Sequence, residues 1–162
     1  MNILYDNIVM FHVEHGVGDN MNDNNKLLMA LDEAKKAYKL DEIPVGCVIF
    51  RGDELIACGY NKKESESNAI MHAEMVAIDD ACRKLGSWRL DDCCLYVTLM
   101  PCMMCMGAIV ESRIKKVYYG TKNNSKQMYD FDKISRFVSL YNLENRECSE
   151  ILSDFFKKKR KK

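Results

Sequence analysis

Apolar residues recur at helical spacing in four parts of the chain. The first run predicts an amphipathic helix that begins at Asn25 and ends before Pro44. The second predicts a helix over about 73–85. The third begins near Pro101, which suits a first helical turn, and continues to about 112. A last helix is predicted from about Asn145. Its core-facing positions are Cys148, Ile151, Leu152, Phe155 and Phe156.

Shorter runs of β-branched, aromatic and other apolar residues lie between these helices. Residues 45–50 and 54–59 flank a turn at 51–53, which predicts a β-hairpin. Three further strands are predicted, at 94–99, 116–120 and 137–143. Residues 121–136 are too polar to assign. Strands that alternate with helices predict an α/β fold, in which helices cover both faces of one sheet.

The length of the chain predicts one domain. Its 162 residues suffice for one well-buried core and are too few for two ordinary domains. Residues 1–24 lack sustained periodicity and contain five asparagines, so we expect a poorly ordered extension there. We interpret His12 and His15, both in this extension, as solvated side chains. Residues 25–162 are then expected to fold as a single domain.

The composition argues against several classes of protein. Hydrophobic residues make up 48% of the chain and charged residues 30%, which indicates a globular rather than a disordered protein. The longest apolar runs are too short to span a bilayer, and the N-terminus lacks the features of a signal or transit peptide. We therefore expect a cytoplasmic protein with no membrane partner. Its eight cysteines are expected to be reduced thiols or metal ligands.

The charges are unevenly distributed along the chain. The formal net charge is zero, but the last six residues, 157–162, are all basic, so the rest of the chain has 18 basic and 24 acidic side chains. An acidic body with a basic tail favours a polyanionic partner. A solvated chain end is the alternative interpretation.

The candidate chemistry lies in two short motifs, each at the start of a predicted helix. His72-Ala73-Glu74 opens the second helix, and Cys102 and Cys105 lie in the first turn of the third. Either motif alone is a weak signal. Together they supply one imidazole and two thiolates, and His72 is the one histidine outside the first 24 residues. Three protein ligands leave the fourth position of a tetrahedral zinc ion free for water, which is typical of catalytic sites.

This arrangement predicts a hydrolytic site with one zinc ion (Zn2+) per chain. Zinc lowers the pKa of its water from about 15.7 to about 7, and so supplies hydroxide at neutral pH. Glu74 is predicted to remain unligated and to shuttle protons. The alternative role for Glu74 is a first-turn carboxylate that only stabilises its helix.

With these residues in view, the sequence resembles the cytidine and deoxycytidylate deaminase superfamily, whose members carry H-x-E and P-C-x-x-C motifs. More narrowly, it resembles the tRNA-specific adenosine deaminases. The matching segments are 43–46, 59–61, 72–74, 96–99, 101–114, 117–120 and 151–156. The resemblance implies a three-layer α/β/α cytidine-deaminase-like fold with a central five-stranded mixed sheet. It also implies hydrolytic conversion of adenosine to inosine at the wobble position of tRNA.

The resemblance further implies how the substrate is held. Asn61 would hydrogen-bond the flipped purine, and Val45 would pack against its face. Phe155 and the basic residues after it would contact the tRNA anticodon stem-loop. Two departures from the family pattern bear on this recognition: Met100 stands where a glutamate is usual, and Asn123 stands where an aspartate is common.

The family forms homodimers, and one helix of this chain has more apolar residues than a small core needs. These residues are Met103, Met104, Met106 and Ile109. They predict a homodimer, with simple filling of core gaps as the alternative.

Two other functions compete with the tRNA deaminase hypothesis. A deaminase of free bases, such as guanine or cytosine, would use the same metal site without an RNA surface. A structural zinc module or a thiol redox protein would need a fourth protein ligand or a thioredoxin-like setting for the cysteine pair.

Overall fold

A computed structural model of the protein describes residues 21–123 and 129–161, and in them the chain forms one five-stranded sheet with helices on both faces. Ten elements follow one another along these residues. They are α1 (Asp23–Lys39), β1 (Gly46–Arg51), β2 (Glu54–Tyr60), α2 (Ala73–Leu85), β3 (Cys94–Leu99), α3 (Met103–Glu111), β4 (Lys116–Thr121), α4 (Phe131–Ile134), β5 (Ser139–Asn142) and α5 (Arg146–Arg160).

The sheet is mixed, with the strand order β2-β1-β3-β4-β5. Strand β1 pairs antiparallel with β2 and β3, whereas β3, β4 and β5 run parallel. Because of these directions, the start of β1 and the ends of β2, β3 and β4 lie at the same end of the sheet. The predicted α/β class and five-stranded mixed sheet are confirmed.

The two faces of the sheet have separate cores. Helices α1 and α5 cover one face around Leu27, Leu31, Phe50 and Tyr96, and α2 and α3 cover the other around a larger cluster. Met106 and Ile109 of α3 are fully buried in that larger cluster, so they are core residues and not part of a dimer face. Met103 is half exposed.

Two glycines allow the helices to approach the sheet closely. A Cβ atom on Gly46 would lie 1.9 Å from the carbonyl oxygen of Ala30 in α1. A Cβ atom on Gly59 would lie 2.4 Å from the carbonyl oxygen of Ala73 in α2. Any side chain at either position would push its helix off the sheet.

A column of aromatic rings crosses the sheet beneath α1. Tyr96 stacks on Tyr118 with ring centroids 4.7 Å apart, and Tyr118 stacks on Tyr141 at 4.8 Å. The Tyr96 hydroxyl donates a hydrogen bond to Asp23 at the start of α1, over 2.7 Å. The column therefore joins β3, β4 and β5 to the first helix.

Trp88 lies apart from this column, in the connection between α2 and β3. Its side chain is 58% exposed, and the guanidinium groups of Arg89 and Arg113 lie 5.3 and 5.6 Å from its ring.

The ends of the chain differ in part from their predicted form. Helix α1 begins two residues earlier than predicted, because the Asn22 side chain accepts a hydrogen bond from the backbone N–H of Asn25 and caps it. Residues 21–24 are therefore ordered, and the rest of the predicted extension, residues 1–20, lies outside the described residues. The basic run is helical through Arg160, rather than a loose tail. None of the described helices has the length and apolar character needed to cross a membrane.

Candidate active site

The sheet edge where β1 starts and β3 ends holds the three predicted metal ligands. His72 is the N-cap residue of α2, and Cys102 is the N-cap residue of α3. Neither side chain forms a capping hydrogen bond, so both are available to a ligand. Cys105 follows in the first turn of α3. Both helix N-termini point at the site, and their dipoles favour negative charge there.

The spacing of the three ligand atoms fits tetrahedral zinc. The Nδ1 atom of His72 lies 3.6 Å from the Sγ atoms of both Cys102 and Cys105. Bonds of about 2.3 Å to sulfur and about 2.0 Å to nitrogen at a tetrahedral angle require an S···N separation of about 3.5 Å, close to the observed distances. The three atoms therefore need no rearrangement to hold the ion. Within the described chain, these are the residues that form such a metal-binding group.

The two cysteines of this group have pKa values shifted in opposite directions. Hydrogen bonds from the Cys105 thiol and the His72 ring lower the pKa of Cys102 to about 3. The same bond to Cys102 and burial raise the pKa of Cys105. Cys102 is thus held as a thiolate, the form that binds zinc.

Glu74 faces the same cleft from the first turn of α2. Its side chain is 4% exposed, and burial raises its pKa to about 7. A carboxyl group with a pKa near neutrality can both accept and donate a proton, which suits general acid–base catalysis. The alternative role, a first-turn carboxylate that only stabilises its helix, does not require this burial.

A cleft of about 690 Å³ opens beside the four residues. Its wall includes Val45 and Asn61, the two residues that the family resemblance assigns to the base. Asn61 is buried and its backbone N–H donates to the carbonyl oxygen of Val45 over 3.1 Å, so β1 and the end of β2 hold both residues in place. The cleft is large enough for a purine base with part of its nucleoside.

The assignment of Phe155 to this surface is corrected. Its ring is buried at the junction of α5 and α1, where it contacts Tyr38 with ring centroids 6.0 Å apart. The next residue, Phe156, is 41% exposed and lines the cleft. One residue along a helix is a rotation of about 100°. The aromatic ring available to a substrate is therefore that of Phe156.

Met100 forms part of the cleft wall with almost no exposure of its own. Its backbone N–H donates to the carbonyl oxygen of Thr121 over 2.9 Å, which ties the end of β3 to the end of β4. An apolar side chain thus occupies the position before Pro101, and this wall of the cleft is uncharged there.

Two residues of the cleft and one residue that supports it were not found from the sequence. Lys63 and Lys122 lie on its rim, from the loop after β2 and the end of β4. The Tyr129 hydroxyl donates to the carbonyl oxygen of Pro101 over 2.9 Å and so supports the segment that carries Cys102. No local pattern marks these three residues, because each depends on contacts with distant parts of the chain.

Comparisons with known proteins agree with this geometry. The profile of the MafB19-like deaminase family matches residues 21–160. A tRNA-specific adenosine deaminase from Bacillus subtilis is 43% identical over 143 residues, which cover 82% of this chain and 88% of that protein.

Two solved structures show the same fold. One, from a study of A-to-I editing by tRNA:A34 deaminases at the wobble position of transfer RNA, has a TM-score of 0.74 and 34% identity and covers 80% of this chain and 99% of its own. The other, a guanine deaminase from Bacillus subtilis, has a TM-score of 0.62 and 31% identity and covers 86% of this chain and 95% of its own. The chain therefore belongs to the MafB19-like deaminase family, within the group of the tRNA-specific adenosine deaminases.

Proposed function

We propose that the protein is a zinc-dependent enzyme that hydrolyses adenosine to inosine at the wobble position of tRNA. The family and the ligand geometry support the deaminase reaction. The choice of substrate depends on one further observation, the charge on the rim of the cleft.

Four basic side chains surround the opening of the cleft. They come from three separate parts of the chain: Lys63, Lys122, Lys157 and Arg160. The chain is otherwise acidic, so this concentration of positive charge is local. A nucleic acid carries phosphates on both sides of any base that enters the cleft, and each phosphate contact adds a salt-dependent contribution to affinity. A free base has no phosphate and needs no such rim.

Zinc, held by His72, Cys102 and Cys105, would supply a water molecule that ionises near neutral pH. Glu74 accepts the proton of the attacking water. It delivers this proton to the ring nitrogen. It then takes the proton of the hydroxyl group that has added to the carbon and passes it to the amine, so that the C–N bond breaks, ammonia departs and inosine remains. Helix α2 places His72 and Glu74 two residues apart at its first turn, which keeps the proton shuttle beside the metal without making it a ligand.

The remaining cleft residues orient the base. Asn61 offers an amide for hydrogen bonds to the purine, and Val45 offers an apolar surface for its face. Phe156 lines the cleft from α5, where an unstacked base of the anticodon loop can pack on its ring. The basic residues Lys157 and Arg160 follow on the same side of α5.

A deaminase of free guanine is the second candidate, because a guanine deaminase structure matches at 31% identity. The deciding experiment incubates the purified, zinc-loaded protein separately with an anticodon stem-loop containing adenosine-34, with free guanine and with free cytosine. We expect inosine from the stem-loop, and neither xanthine nor uracil from the bases. A stem-loop with guanosine at position 34 is the matched control. Xanthine formation without inosine would replace this proposal by the guanine one.

We also propose that the protein works as a homodimer in the cytoplasm, where its tRNA substrate is found. The half-exposed Met103 and its partly buried neighbour Met104 lie on α3 and support an apolar contact between two copies. Light scattering at micromolar concentration should give the mass of two chains. A monomeric mass with full activity would remove the dimer from the proposal.

A further inference from the structure

Glu42 is a fully buried acidic residue that the proposed chemistry does not use. It lies between α1 and β1 and has 0% exposure. Its carboxylate accepts three hydrogen bonds, all from the segment that follows β2: from the backbone N–H of Ser65 (2.6 Å), from the backbone N–H of Glu64 (3.2 Å) and from Nδ2 of Asn61 (3.4 Å).

The third of these contacts reaches the candidate base-binding residue. Asn61 is 5% exposed and lines the cleft with Val45 and Glu74. An asparagine amide has an oxygen that accepts hydrogen bonds and an NH2 group that donates them. Either group can face a substrate unless a neighbouring residue fixes the orientation of the amide. A carboxylate can only accept hydrogen bonds, so it selects the Nδ2 end of Asn61. The Oδ1 atom and one N–H then remain for the base.

We propose that Glu42 is a positioning residue for base recognition, because it sets which end of the Asn61 amide faces the cleft. This inference rests on the proposed function, in which Asn61 binds the base. Glu42 acts only through Asn61 and contacts neither the metal ligands nor the reacting atoms.

The loop after β2 has anchors of its own, which separates positioning from simple support. The backbone N–H of Lys62 donates to the carbonyl oxygen of Met71. Within the loop, the backbone N–H groups of Asn68 and Glu66 donate to the carbonyl oxygens of Lys63 and Lys62, respectively. These bonds hold the loop without the carboxylate, so replacing Glu42 by a residue of the same size should preserve the loop more than the Asn61 orientation.

Glu42→Gln is the informative variant, because it keeps the size of the side chain and replaces one acceptor oxygen by an NH2 donor. Placed at Oε2, that donor would face both Nδ2 of Asn61 and the backbone N–H of Glu64. The Asn61 amide can turn around to offer its oxygen, whereas the backbone N–H cannot. Leaving a buried donor unpaired or reversing a buried amide weakens recognition by about tenfold or more. Glu33→Gln is the matched control, since Glu33 is also a buried carboxylate but pairs with Lys36 on α1.

We expect kcat/KM on the stem-loop to fall about tenfold or more in Glu42→Gln and in Asn61→Ala. The double variant should be no worse than Asn61→Ala alone, because both changes remove the same interaction. Zinc content should remain at the wild-type level in all three, and Glu33→Gln should keep wild-type kcat/KM. A loss of kcat/KM in the double variant equal to the product of the two single losses would overturn the proposal. So would a Glu42→Gln enzyme with unchanged kcat/KM.

A second measurement needs no substrate. The side-chain 1H–15N amide signals of Asn61, identified by their absence in Asn61→Ala, should shift in Glu42→Gln and stay in place in Glu33→Gln. An unshifted pair in Glu42→Gln would also overturn the inference. If wild-type protein leaves the stem-loop unchanged while the amide signals shift as expected, the proposed substrate fails and the Glu42–Asn61 coupling stands.

Discussion

Glu74 is buried in the cleft beside the metal-binding group, where its carboxyl group contacts the Cys105 thiol. Three side chains converge on one point at zinc distances, and Glu74 is not among them. In the proposed reaction this carboxyl group carries protons from the first turn of α2.

Replacing Glu74 by glutamine removes the proton acceptor and preserves the size of the side chain. We expect kcat to fall at least about a hundredfold, the usual contribution of a general acid–base group. Zinc content and affinity for the stem-loop should remain near wild type. Metal analysis and a binding titration check these two properties, with Asp79→Asn on the exposed side of the same helix as control. Loss of zinc from Glu74→Gln would make Glu74 a ligand and contradict the mechanism.

At the scale of residues, the convergence of the candidate metal ligands could be predicted from the sequence better than the residues of the cleft wall. His72, Cys102, Cys105 and Glu74 could be predicted because their residue types are diagnostic in combination and the chain offers one histidine outside its first 24 residues. Phe155 could not be distinguished from Phe156, since both fit a helical apolar pattern and one residue decides which faces the core. Interactions such as that of Glu42 with the loop after β2 depend on tertiary packing, which no local pattern reveals.

Gly46 shows how closely the elements of this fold are packed. Its missing side chain lets α1 lie directly against β1, the strand that leads from Val45 at the cleft. The same strand pairs with β3, which ends at the metal site. The position of α1 and the shape of the cleft are therefore linked.

We expect Gly46→Ala to lower the free energy of unfolding by about 2 kcal/mol or more, since the new methyl group meets backbone atoms that cannot rotate away. Gly107→Ala is the matched control, because nothing lies within 4 Å of its Cβ position and alanine favours a helix. Chemical denaturation of both variants tests the contrast. Equal stabilities would show that α1 can shift at little cost.

The basic end of α5 divides into two pairs with different surroundings. Lys158 forms an ion pair with Asp154, and Lys159 forms one with Asp41 after α1. Lys157 and Arg160 instead line the cleft. The division follows the helical period, and a charge count along the sequence could not show it.

Two double variants that remove equal charge separate these roles. Lys157→Ala with Arg160→Ala should weaken stem-loop binding and make its salt dependence shallower, by about one in the slope of log K against log salt for each phosphate that the protein no longer binds. Lys158→Ala with Lys159→Ala should change that slope less and instead loosen α5 from α1. Binding titrations at several salt concentrations provide the comparison. Identical slopes for the two variants would mean that only net charge matters.

The bounds of most strands and of the helices that cover the sheet could be predicted to within about two residues, because their apolar residues recur at a regular spacing. The structure of the connection from 121 to 136 could not be predicted. Part of it, residues 124–128, lies outside the described residues, and α4 spans only Phe131–Ile134. A four-residue helix has too few turns to show a period. Its first turn is capped by the Asp130 side chain, and none of its residues is buried.

At the scale of the whole molecule, the candidate metal ligands come from two helices that are separated along the chain. His72 precedes α2, and the two cysteines belong to the start of α3, with β3 between them in the chain. A zinc ion bound to all three would therefore favour the folded state over the unfolded one.

We expect one zinc per chain, absent when Cys102 or Cys105 is replaced by alanine, and Cys82→Ala is the matched control on α2. A chelator should lower the melting temperature of the wild-type protein and of Cys82→Ala, but not that of Cys102→Ala. Binding contributes about 2.7 kcal/mol when free zinc is a hundred times its Kd. Calorimetry and metal analysis test this. A full zinc content in Cys102→Ala would contradict the ligand assignment.

The exposure of Trp88 between two arginines determines which spectroscopic signal reports on unfolding. It is the single tryptophan of the chain, and its indole is already in contact with water in the native state. The emission maximum of tryptophan fluorescence, excited selectively at long wavelength, will therefore shift little when the core unfolds. The stacked rings of Tyr96, Tyr118 and Tyr141 report instead on the centre of the sheet. Near-ultraviolet circular dichroism of these tyrosines should therefore follow the loss of the fold, while the tryptophan signal follows one surface connection.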